Sequence, residues 1–348
     1  MAAYTDFAFR PNLTDPEGQT PSAPPVTSSP DIYPVGVNPI ANFQTALATP
    51  ASWATDPGQN VQEGFNNIIY VRSKNFGGAN NTGQVFLYYA PCAVISWPSQ
   101  WVTNQLLTDQ PNPTNPNGAN LNYLNLNAAA NGNIAVGAGA FLWQPTPPPP
   151  GSDHYCLFSQ VVTAATPNPI PGANQPMTSE DMATIVANDL GIGWRNVALI
   201  VQANQPTWSY SSMLTVPANS PAPVTVQVLL ACNNMTGGGS MSFNCSSANG
   251  TSVPITLPQT TIQNPNQVSG ITTTLQPGFS GSITVNYWNG SSANPSGANI
   301  AIQALTPATT PGMQAMVKKS HMKHLKLNAV GIPIQEVVSL GQMNYTLI

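Results

Sequence analysis

The segments NIIYVRSKNF, residues 67–76, and GQVFLYYAPCAVISW, residues 83–97, decide the fold class. Both are rich in β-branched and aromatic residues, and both alternate apolar with polar side chains, as strands with one buried face do. The turn-forming residues GGANNTG lie between them. The pattern therefore predicts two adjacent strands joined as a β-hairpin.

Strand-like segments of the same kind recur along the rest of the chain. They are AFLWQP, HYCLFSQVVTA, WRNVALIVQ, PVTVQVLLAC, GSITVNYW and ANIAIQAL. Many short strands separated by turn signals favour β-sandwiches. One helix is predicted over residues 178–191, TSEDMATIVANDLG, with Thr178 or Ser179 as its cap and Gly191 just after its end.

The chain length sets the expected domain organisation. At roughly 100–200 residues per domain, the 348 residues predict two domains. We expect an all-β protein with two Ig-like antiparallel β-sandwich domains, residues 31–203 and 204–312. A Pro/Ser/Thr-rich N-terminal arm, residues 1–30, is expected to be extended or disordered. Residues 313–348 hold a basic segment and a C-terminal strand, and the Asn/Pro-rich insertion 108–133 is too long for an ordinary hairpin loop.

Composition excludes several classes of protein. Charged residues make up 6% of the chain, against roughly 25% in an ordinary soluble protein. A nucleic-acid binder needs an excess of basic residues, whereas the net charge of this chain is −4. The sequence also has no coiled-coil heptads. An aromatic content of 8% argues against a disordered chain. No run of about 18 apolar residues predicts a membrane span.

The most unusual feature is a stretch without ionisable acids or bases. No residue between Arg195 and Lys318 is Asp, Glu, Lys or Arg. A solitary soluble domain normally uses charge for solubility and to guard exposed strand edges. Desolvating neutral polar side chains costs less than desolvating ions, so we expect this domain to bury its surface in self-association or against other protein subunits. The alternative is a composition bias of the lineage.

A set of segments in the first domain resembles a known module. In order they are SSPDIYP, NNIIYVRSKNFGGANNTGQVFLYYA, SWPSQW, FLWQPTPPPPGSDHYCLFSQV and WRNVALI. Together they resemble the bacterial Ig-like module of the CARDB type, a cell-adhesion-related β-sandwich, over residues 29–202. The resemblance implies a non-catalytic role in adhesion or assembly. The segment CLFSQV departs from the family pattern because it lacks the family's basic residue, which puts a charge-based partner contact in doubt.

Candidate binding residues fall into two groups. Exposed aromatic side chains would stack on sugar rings in a carbohydrate- or surface-binding module, and the candidates are Trp97, Trp101, Trp208 and Tyr210. Trp97 and Trp101, with Trp143, also suit a sandwich core. The segment MVKKSHMKHLK, residues 316–326, could bind an anionic surface or could be a solvated helix or strand; its candidates are Lys318, Lys319, Lys323 and Lys326. No metal ligands and no cofactor are predicted.

The four cysteines and a histidine next to an acid are candidates for chemical reactivity. Cys232 and Cys245 flank a Gly-rich turn that is expected to form a hairpin, so a disulfide between them is a candidate in an oxidising compartment. Cys92 and Cys156 are expected to be buried free thiols. The pair Asp153–His154 is expected to be structural, since no nucleophile elbow, phosphate-binding loop or zinc spacing accompanies it. We therefore expect no enzyme activity.

The sequence favours a non-catalytic structural or adhesive protein, a subunit of an extracellular or particle-like assembly. The N-terminus shows no signal peptide, which fits a leader cleaved before this chain begins, a leaderless export route, or cytosolic residence. An extracellular or cell-surface location is favoured. The C-terminal strand ends apolar at Ile348, and it is expected to pack back or to insert into a partner sheet by donor-strand exchange.

Overall fold

The computed structural model describes the chain except for residues 1, 16, 21–25, 57, 59–60, 115–117, 168–169, 171–174, 198–199, 202–204, 248, 321–335 and 348. The described helices are short, and strands dominate. The helices are α1 (Phe43–Leu47), α2 (Pro50–Trp53), α3 (Pro98–Trp101), α4 (Ser179–Asn188) and α5 (Pro311–Ser320). The predicted helix is confirmed as α4, and Thr178 caps it through a capping box with Asp181.

The first sandwich consists of two main sheets. One sheet runs β2 (Phe7–Ala8), β5 (Asn67–Asn75), β10 (Phe141–Trp143) and β7 (Leu107–Thr108), with β4 (Ile32–Pro34) and β9 (Asn133–Val136) also paired to β5. The other runs β12 (Ile192–Asn196), β11 (Tyr155–Thr163), β6 (Asn81–Pro91) and β8 (Leu124–Ala128). A small ribbon joins β1 (Ala2–Ala3) to β3 (Gln19–Thr20).

The second sandwich also has two sheets. The five-stranded sheet runs β13 (Ile200–Val201), β21 (Val337–Leu347), β20 (Asn299–Pro307), β15 (Val224–Asn233) and β18 (Val268–Leu275). The four-stranded sheet runs β14 (Thr207–Thr215), β19 (Ser280–Trp288), β16 (Ser240–Cys245) and β17 (Thr256–Thr261). The prediction of an all-β, antiparallel sandwich protein is confirmed, with β13 and β21 as the parallel exception.

The predicted hairpin between β5 and β6 is wrong. Both strands form, but β5 pairs with β10, β4, β9 and β2, whereas β6 pairs with β11 and β8 in the facing sheet. The Gly-rich turn therefore crosses from one sheet to the other. Gly77 is needed there because an added Cβ would lie 2.9 Å from the backbone oxygen of Thr5.

The expectation of an extended or disordered arm over residues 1–30 is wrong for its described N-terminal part. Phe7 and Phe9 are buried in the first sandwich, and Phe7 pairs with Asn75 in the sheet. Arg10 binds Asp31 through two side-chain contacts, at 2.5 Å and 3.1 Å. Apolar burial and this ion pair hold the segment in place, which its Pro-rich composition did not indicate.

The insertion over residues 108–133 is partly regular structure. Leu124–Ala128 forms β8, which pairs with β6 and buries Leu124 and Leu126 in the first sandwich. The segment with alternating Leu and Asn is therefore the edge strand of this sheet. Residues 115–117 of the insertion lie outside the described residues.

The C-terminal strand belongs to the second sandwich. Residues Val337–Leu347 pair along their length with β20, so the strand packs back on its own chain. The boundary predicted at residue 312 therefore separates β21 from the sheet to which it belongs. Asn344 also donates a hydrogen bond from Nδ2 to Thr27 Oγ1 at 3.2 Å, which ties the N-terminal segment to this strand.

The two sandwiches share hydrophobic packing. The core of the second sandwich continues into the outer face of the β12-β11-β6-β8 sheet, where Trp101, Phe158 and Trp194 are buried. Helix α4 packs beside this junction through Met182 and Ala183. A separate cluster around Ile69, Leu87 and Phe141 fills the first sandwich. The interface between the sandwiches is therefore built as a core.

Candidate functional site

A cluster of reactive side chains lies where the two sandwiches meet. Cys92 follows the end of β6 and lies opposite His154, the residue before β11, and the Cys92 N–H donates to the His154 carbonyl at 2.8 Å. Cys156 follows on β11, and its thiol donates to Asn196 Oδ1 at 3.1 Å. Asp153 Oδ1 lies 2.5 Å from His154 Nδ1. Antiparallel pairing thus brings together residues that are far apart in the chain.

The second sandwich closes over this cluster. The Cys92 sulfur lies 3.1 Å from Ser212 Oγ and 3.6 Å from Met343 Sδ. Ser212 Oγ in turn lies 3.0 Å from Tyr345 Oη, and Asp153 Oδ2 accepts the Ser211 N–H at 2.8 Å. Strands β14 and β21 of the second sandwich therefore complete a polar cluster that starts on the first.

Burial and neighbouring groups shift the pKa values of Cys92 and Cys156 in opposite directions. Burial and the neighbouring Cys156 raise the pKa of Cys92 well above its usual value. Burial also opposes ionisation of Cys156, but hydrogen bonding to Cys92 and the nearby His154 lower its pKa to about 7. The pKa of Tyr345 is raised by burial.

A second candidate site is the outward face of the four-stranded sheet in the second sandwich, which we call the neutral face. Its central residues form rows across the strands. Ser209 Oγ donates to Asn286 Oδ1 at 2.8 Å, and Asn286 Nδ2 donates to Ser242 Oγ at 3.2 Å. Ser211 Oγ and Thr284 Oγ1 lie 3.0 Å apart in the next row. These hydroxyl and amide groups bind one another, and the face carries no charge.

The prediction of an exposed aromatic platform is wrong for the three tryptophans. Trp97, Trp101 and Trp208 are buried, because strand and helix packing directs them into the shared core. Trp97 Nε1 donates to the Thr215 carbonyl at 2.7 Å, so this ring fixes the junction between the sandwiches. Tyr210 is half-buried and stacks on Tyr345 at 5.7 Å.

The tryptophan that faces outward is not one of the predicted binding residues. Six of the seven tryptophans are buried, whereas Trp288 is half-buried at the end of β19. The signal was present: Val285 and Tyr287 are buried, so the period of 2 turns Asn286 and Trp288 outward. Trp288 pairs with Thr207 and Ser240 at one end of the neutral face.

The predicted basic segment is described in part. Lys318 and Lys319 lie in the last turn of α5, but their side chains are outside the described residues, as are Lys323 and Lys326 entirely. Binding of an anionic surface by this segment therefore stays a prediction.

Cys232 and Cys245, the candidate disulfide pair, are both free thiols in this structure. Cys232 lies on β15 and Cys245 on β16, and these strands belong to different sheets. The Gly-rich turn between them is an arch from sheet to sheet, and the expected hairpin is wrong. The Cys232 sulfur packs 3.6 Å from Met241 Sδ.

Comparisons with known proteins found distant likenesses in structure. No family model and no curated protein matches the chain. The chain is similar to the collagen adhesin from S. aureus, with 10% identity and a TM-score of 0.21 over 82% of this chain and 88% of that one. It is also similar to the collagen binding domain of an Erysipelothrix rhusiopathiae surface protein, with 8% identity and a TM-score of 0.15 over 84% and 93%.

The strands and their pairing show the sandwich fold. The specific resemblance to the CARDB type stays a prediction. Among the described helices, none has the length and apolar character needed to cross a membrane.

Proposed function

We propose that this chain is a non-catalytic structural or adhesive protein that acts as a subunit of an assembly through its neutral face. The observation that supports this most is the neutral face itself, an open sheet surface whose serine, threonine and asparagine side chains are hydrogen-bonded in rows. Its side chains are already ordered, so a partner loses less conformational entropy on binding it than on binding a flexible charged surface.

The energetics of desolvation support the same conclusion. Removing an ion from water costs several kcal/mol or more, whereas a neutral hydroxyl or amide that keeps a hydrogen bond costs far less. On the neutral face those hydrogen bonds persist after water leaves, because neighbouring side chains supply them. A partner surface therefore removes water from the face without leaving unsatisfied groups behind.

The size of the neutral face is suitable for an interface. Strands β14 and β19 have nine residues each, and β16 and β17 have six. With strands about 4.8 Å apart and a rise of about 3.4 Å per residue, the face spans about 500 Å². A standard interface takes about 800 Å² from each partner, so the adjoining loops or edges supply the remainder.

Light scattering of wild type and two lysine variants tests the proposal. Thr284→Lys places a charge in the middle of the neutral face, where burial of an unpaired ammonium costs several kcal/mol and each 1.4 kcal/mol weakens association tenfold. We expect wild type to form an oligomer and Thr284→Lys to dissociate. The matched control is Asn127→Lys, on exposed β8 of the first sandwich, which keeps the oligomer. A Thr284→Lys variant with wild-type mass contradicts the proposal.

A second candidate, glycan binding, now depends on Trp288. This ring is half-buried and borders hydroxyl groups of the neutral face, which is a suitable setting for stacking on a sugar. If the chain binds glycans, an array shows hits that Trp288→Ala abolishes, while Trp97→Phe, in the buried junction, keeps them. An array without hits favours the assembly role alone.

A further inference from the structure

Strand β18 lies at one edge of the five-stranded sheet and pairs with β15 on one side only. The Cys232 N–H donates to the Gln267 carbonyl at 2.8 Å, so the backbone carbonyl of Gln267 points towards β15. These directions alternate along an antiparallel strand, and the N–H and C=O groups of Val268, Gly270 and Thr272 therefore point away from β15. Among the described residues, these backbone groups have no hydrogen-bond partner on that side.

The unpaired part of this edge has a defined length. At one end the Thr274 carbonyl accepts the Ser252 N–H at 3.1 Å, and the Thr274 N–H donates to Ser252 Oγ at 2.8 Å. The segment between β16 and β17 therefore covers the edge from Thr274 onward. At the other end the chain turns, where the Gln267 N–H donates to the Asn264 carbonyl at 3.3 Å. Residues 268–272 remain, and we call them the free edge.

Three other edge strands of the sandwiches are guarded. Strand β17 contains Pro258, and its pairing with β16 is irregular. The first sandwich covers β14, since the Met213 N–H donates to the Cys92 carbonyl at 3.2 Å. The N-terminal segment covers β12, since the Asn196 N–H donates to the Thr27 carbonyl at 2.9 Å. Proteins block edge pairing with such covers, or with charge, proline or bulges, and the free edge has none of the last three.

Two apolar side chains at the free edge are only half-buried. Val268 packs on the outer face of the sheet, against a cluster of Leu229, Leu305 and Val337. Ile271 packs on the inner face, against the core of the second sandwich. A strand added at this edge would lie about 4.8 Å from β18 and would cover both side chains. Apolar burial would then add to the backbone hydrogen bonds.

We propose that β18 pairs with the β18 of a second copy of this chain, antiparallel across a twofold axis. Val268 then lies opposite Thr272 of the second copy, and Gly270 lies opposite its own counterpart. This register uses every outward N–H and C=O of the free edge, in about six hydrogen bonds. The two five-stranded sheets become one continuous sheet. Because both copies contribute the same surface, the contact closes at a dimer.

The free edge is suited to a copy of itself for two reasons. Its outward groups are arranged symmetrically about Gly270, so the unpaired length is the same on both copies in this register. The edge also belongs to the stretch of the chain without Asp, Glu, Lys or Arg, so two identical edges meet without repulsion between like charges. A charged strand from another protein would lose the hydration of its ions and find no countercharge along β18.

This contact is separate from the neutral face. The free edge belongs to the five-stranded sheet, whereas the neutral face is the outward side of the four-stranded sheet. The inference therefore does not depend on the proposed function. A chain that uses both surfaces can form an assembly larger than a dimer.

Hydrogen exchange and sedimentation velocity of the full chain test the proposal. Both measurements are made on wild type and on Thr284→Lys, in which the neutral-face contact is disrupted. We expect Thr284→Lys to form a dimer that dissociates on dilution. In the dimer, the amides of Val268, Gly270 and Thr272 should exchange at least about 10-fold more slowly than in the diluted monomer, because they become hydrogen-bonded.

Variants of the free edge are made in the Thr284→Lys chain. Thr272→Pro removes an N–H that does not bond to β15, so the sheet is kept while the dimer should weaken at least about 10-fold. The matched control Thr272→Val keeps the N–H and the branched side chain, and it should keep the dimer. If circular dichroism shows that Thr272→Pro does not fold, Val268→Lys tests the same contact by placing a charge at the edge.

Two outcomes overturn the proposal. One is a Thr284→Lys chain that is monomeric at every concentration, with free-edge amides that exchange at one rate throughout. The other is a dimer of that chain that survives both Thr272→Pro and Val268→Lys. In the first case a wild-type oligomer would still support the neutral face as an interface. Conversely, a wild type and a Thr284→Lys chain that form the same edge-paired dimer would contradict only the neutral face.

Discussion

The first and second sandwiches have the same type of fold but treat charge in opposite ways. The first buries Asp31 between Arg10 and Arg72, with guanidinium contacts at 2.5 Å and 3.3 Å. The second has no Asp, Glu, Lys or Arg along residues 196–317. Its buried polar contacts are between neutral groups, such as Asn294 Nδ2 donating to Tyr287 Oη at 2.6 Å.

Charge has a different structural role in each sandwich. In the first sandwich, the ions fix segments that no local pattern would place, since Arg10, Asp31 and Arg72 come from three separate parts of the chain. Trp53 adds to this network, with the Arg10 guanidinium 3.7 Å from its ring centre. In the second sandwich, buried and outward-facing side chains alternate along β19, and neutral surfaces keep desolvation inexpensive.

The largest expected effect comes from breaking the buried ion network. Asp31→Asn leaves Arg10 and Arg72 buried without a countercharge, so we expect a loss of about 3–5 kcal/mol in the free energy of unfolding. Urea denaturation measures it. The matched control is Asp56→Asn, since Asp56 binds Arg195 at 2.8 Å in a more exposed position, and it should cost about 1 kcal/mol or less. Equal losses in the free energy of unfolding for both variants would contradict the stronger role of the buried Asp31 network.

The shared core predicts that both sandwiches unfold together. Leu340 on β21 is fully buried in the cluster that also contains Phe158 and Trp194 of the first sandwich. We expect Leu340→Ala to cost about 3 kcal/mol and to lower a single calorimetric transition. Two separate transitions, with only one shifted by the variant, would show that the sandwiches are independent.

Asp189 is an acid beside the first sandwich whose surroundings disfavour its charged form. Burial raises its pKa to about 6, although the Gly191 N–H donates to Oδ1 at 2.9 Å. Between about pH 4 and pH 6 the Asp189 carboxyl is therefore protonated in the folded state and ionised in the unfolded state. The stability that the protonated carboxyl contributes is present below about pH 4 and is lost as the pH rises through about 6.

The corresponding variant is Asp189→Asn, which keeps the acceptor but cannot ionise. We expect it to be about 2 kcal/mol more stable than wild type at pH 7 and equal to wild type near pH 4, measured by urea denaturation at both values. A constant difference at the two pH values would contradict the raised pKa.

The smallest expected effect concerns the helix at the junction. Thr178 Oγ1 accepts the Asp181 N–H at 3.1 Å, so Thr178→Ala should cost about 1 kcal/mol. Thr178→Ser keeps the cap and serves as the control in thermal unfolding. If both variants lose the same stability, the cap is not the cause.

Sequence patterns predicted many of the strands but not which strands pair. Alternation located β5, β6, β15 and β16 well, because the period depends on neighbouring residues alone. The two Gly-rich turns were interpreted as hairpins, yet each carries the chain from one sheet to the other. A turn of that composition suits both geometries, and only the facing sheets decide between them.

The candidate sites show the same limit. The outward position of Trp288 follows from alternation and was available from the sequence. The cluster of Cys92 with Cys156 and His154 was not, since it depends on the pairing of β6 with β11. The burial of Trp208 likewise depends on packing between sheets, so no local pattern separates it from an exposed ring.

Sedimentation velocity of the unmodified chain, in low salt and in about 1 M NaCl, tests the claim that the neutral face of the second sandwich is covered in an assembly. At the higher salt the Debye length falls to about 3 Å, which screens interfaces between ions but leaves neutral ones intact. We predict an oligomer that persists unchanged in both conditions. A monomer at every concentration, or an oligomer that dissociates in high salt, would contradict the claim.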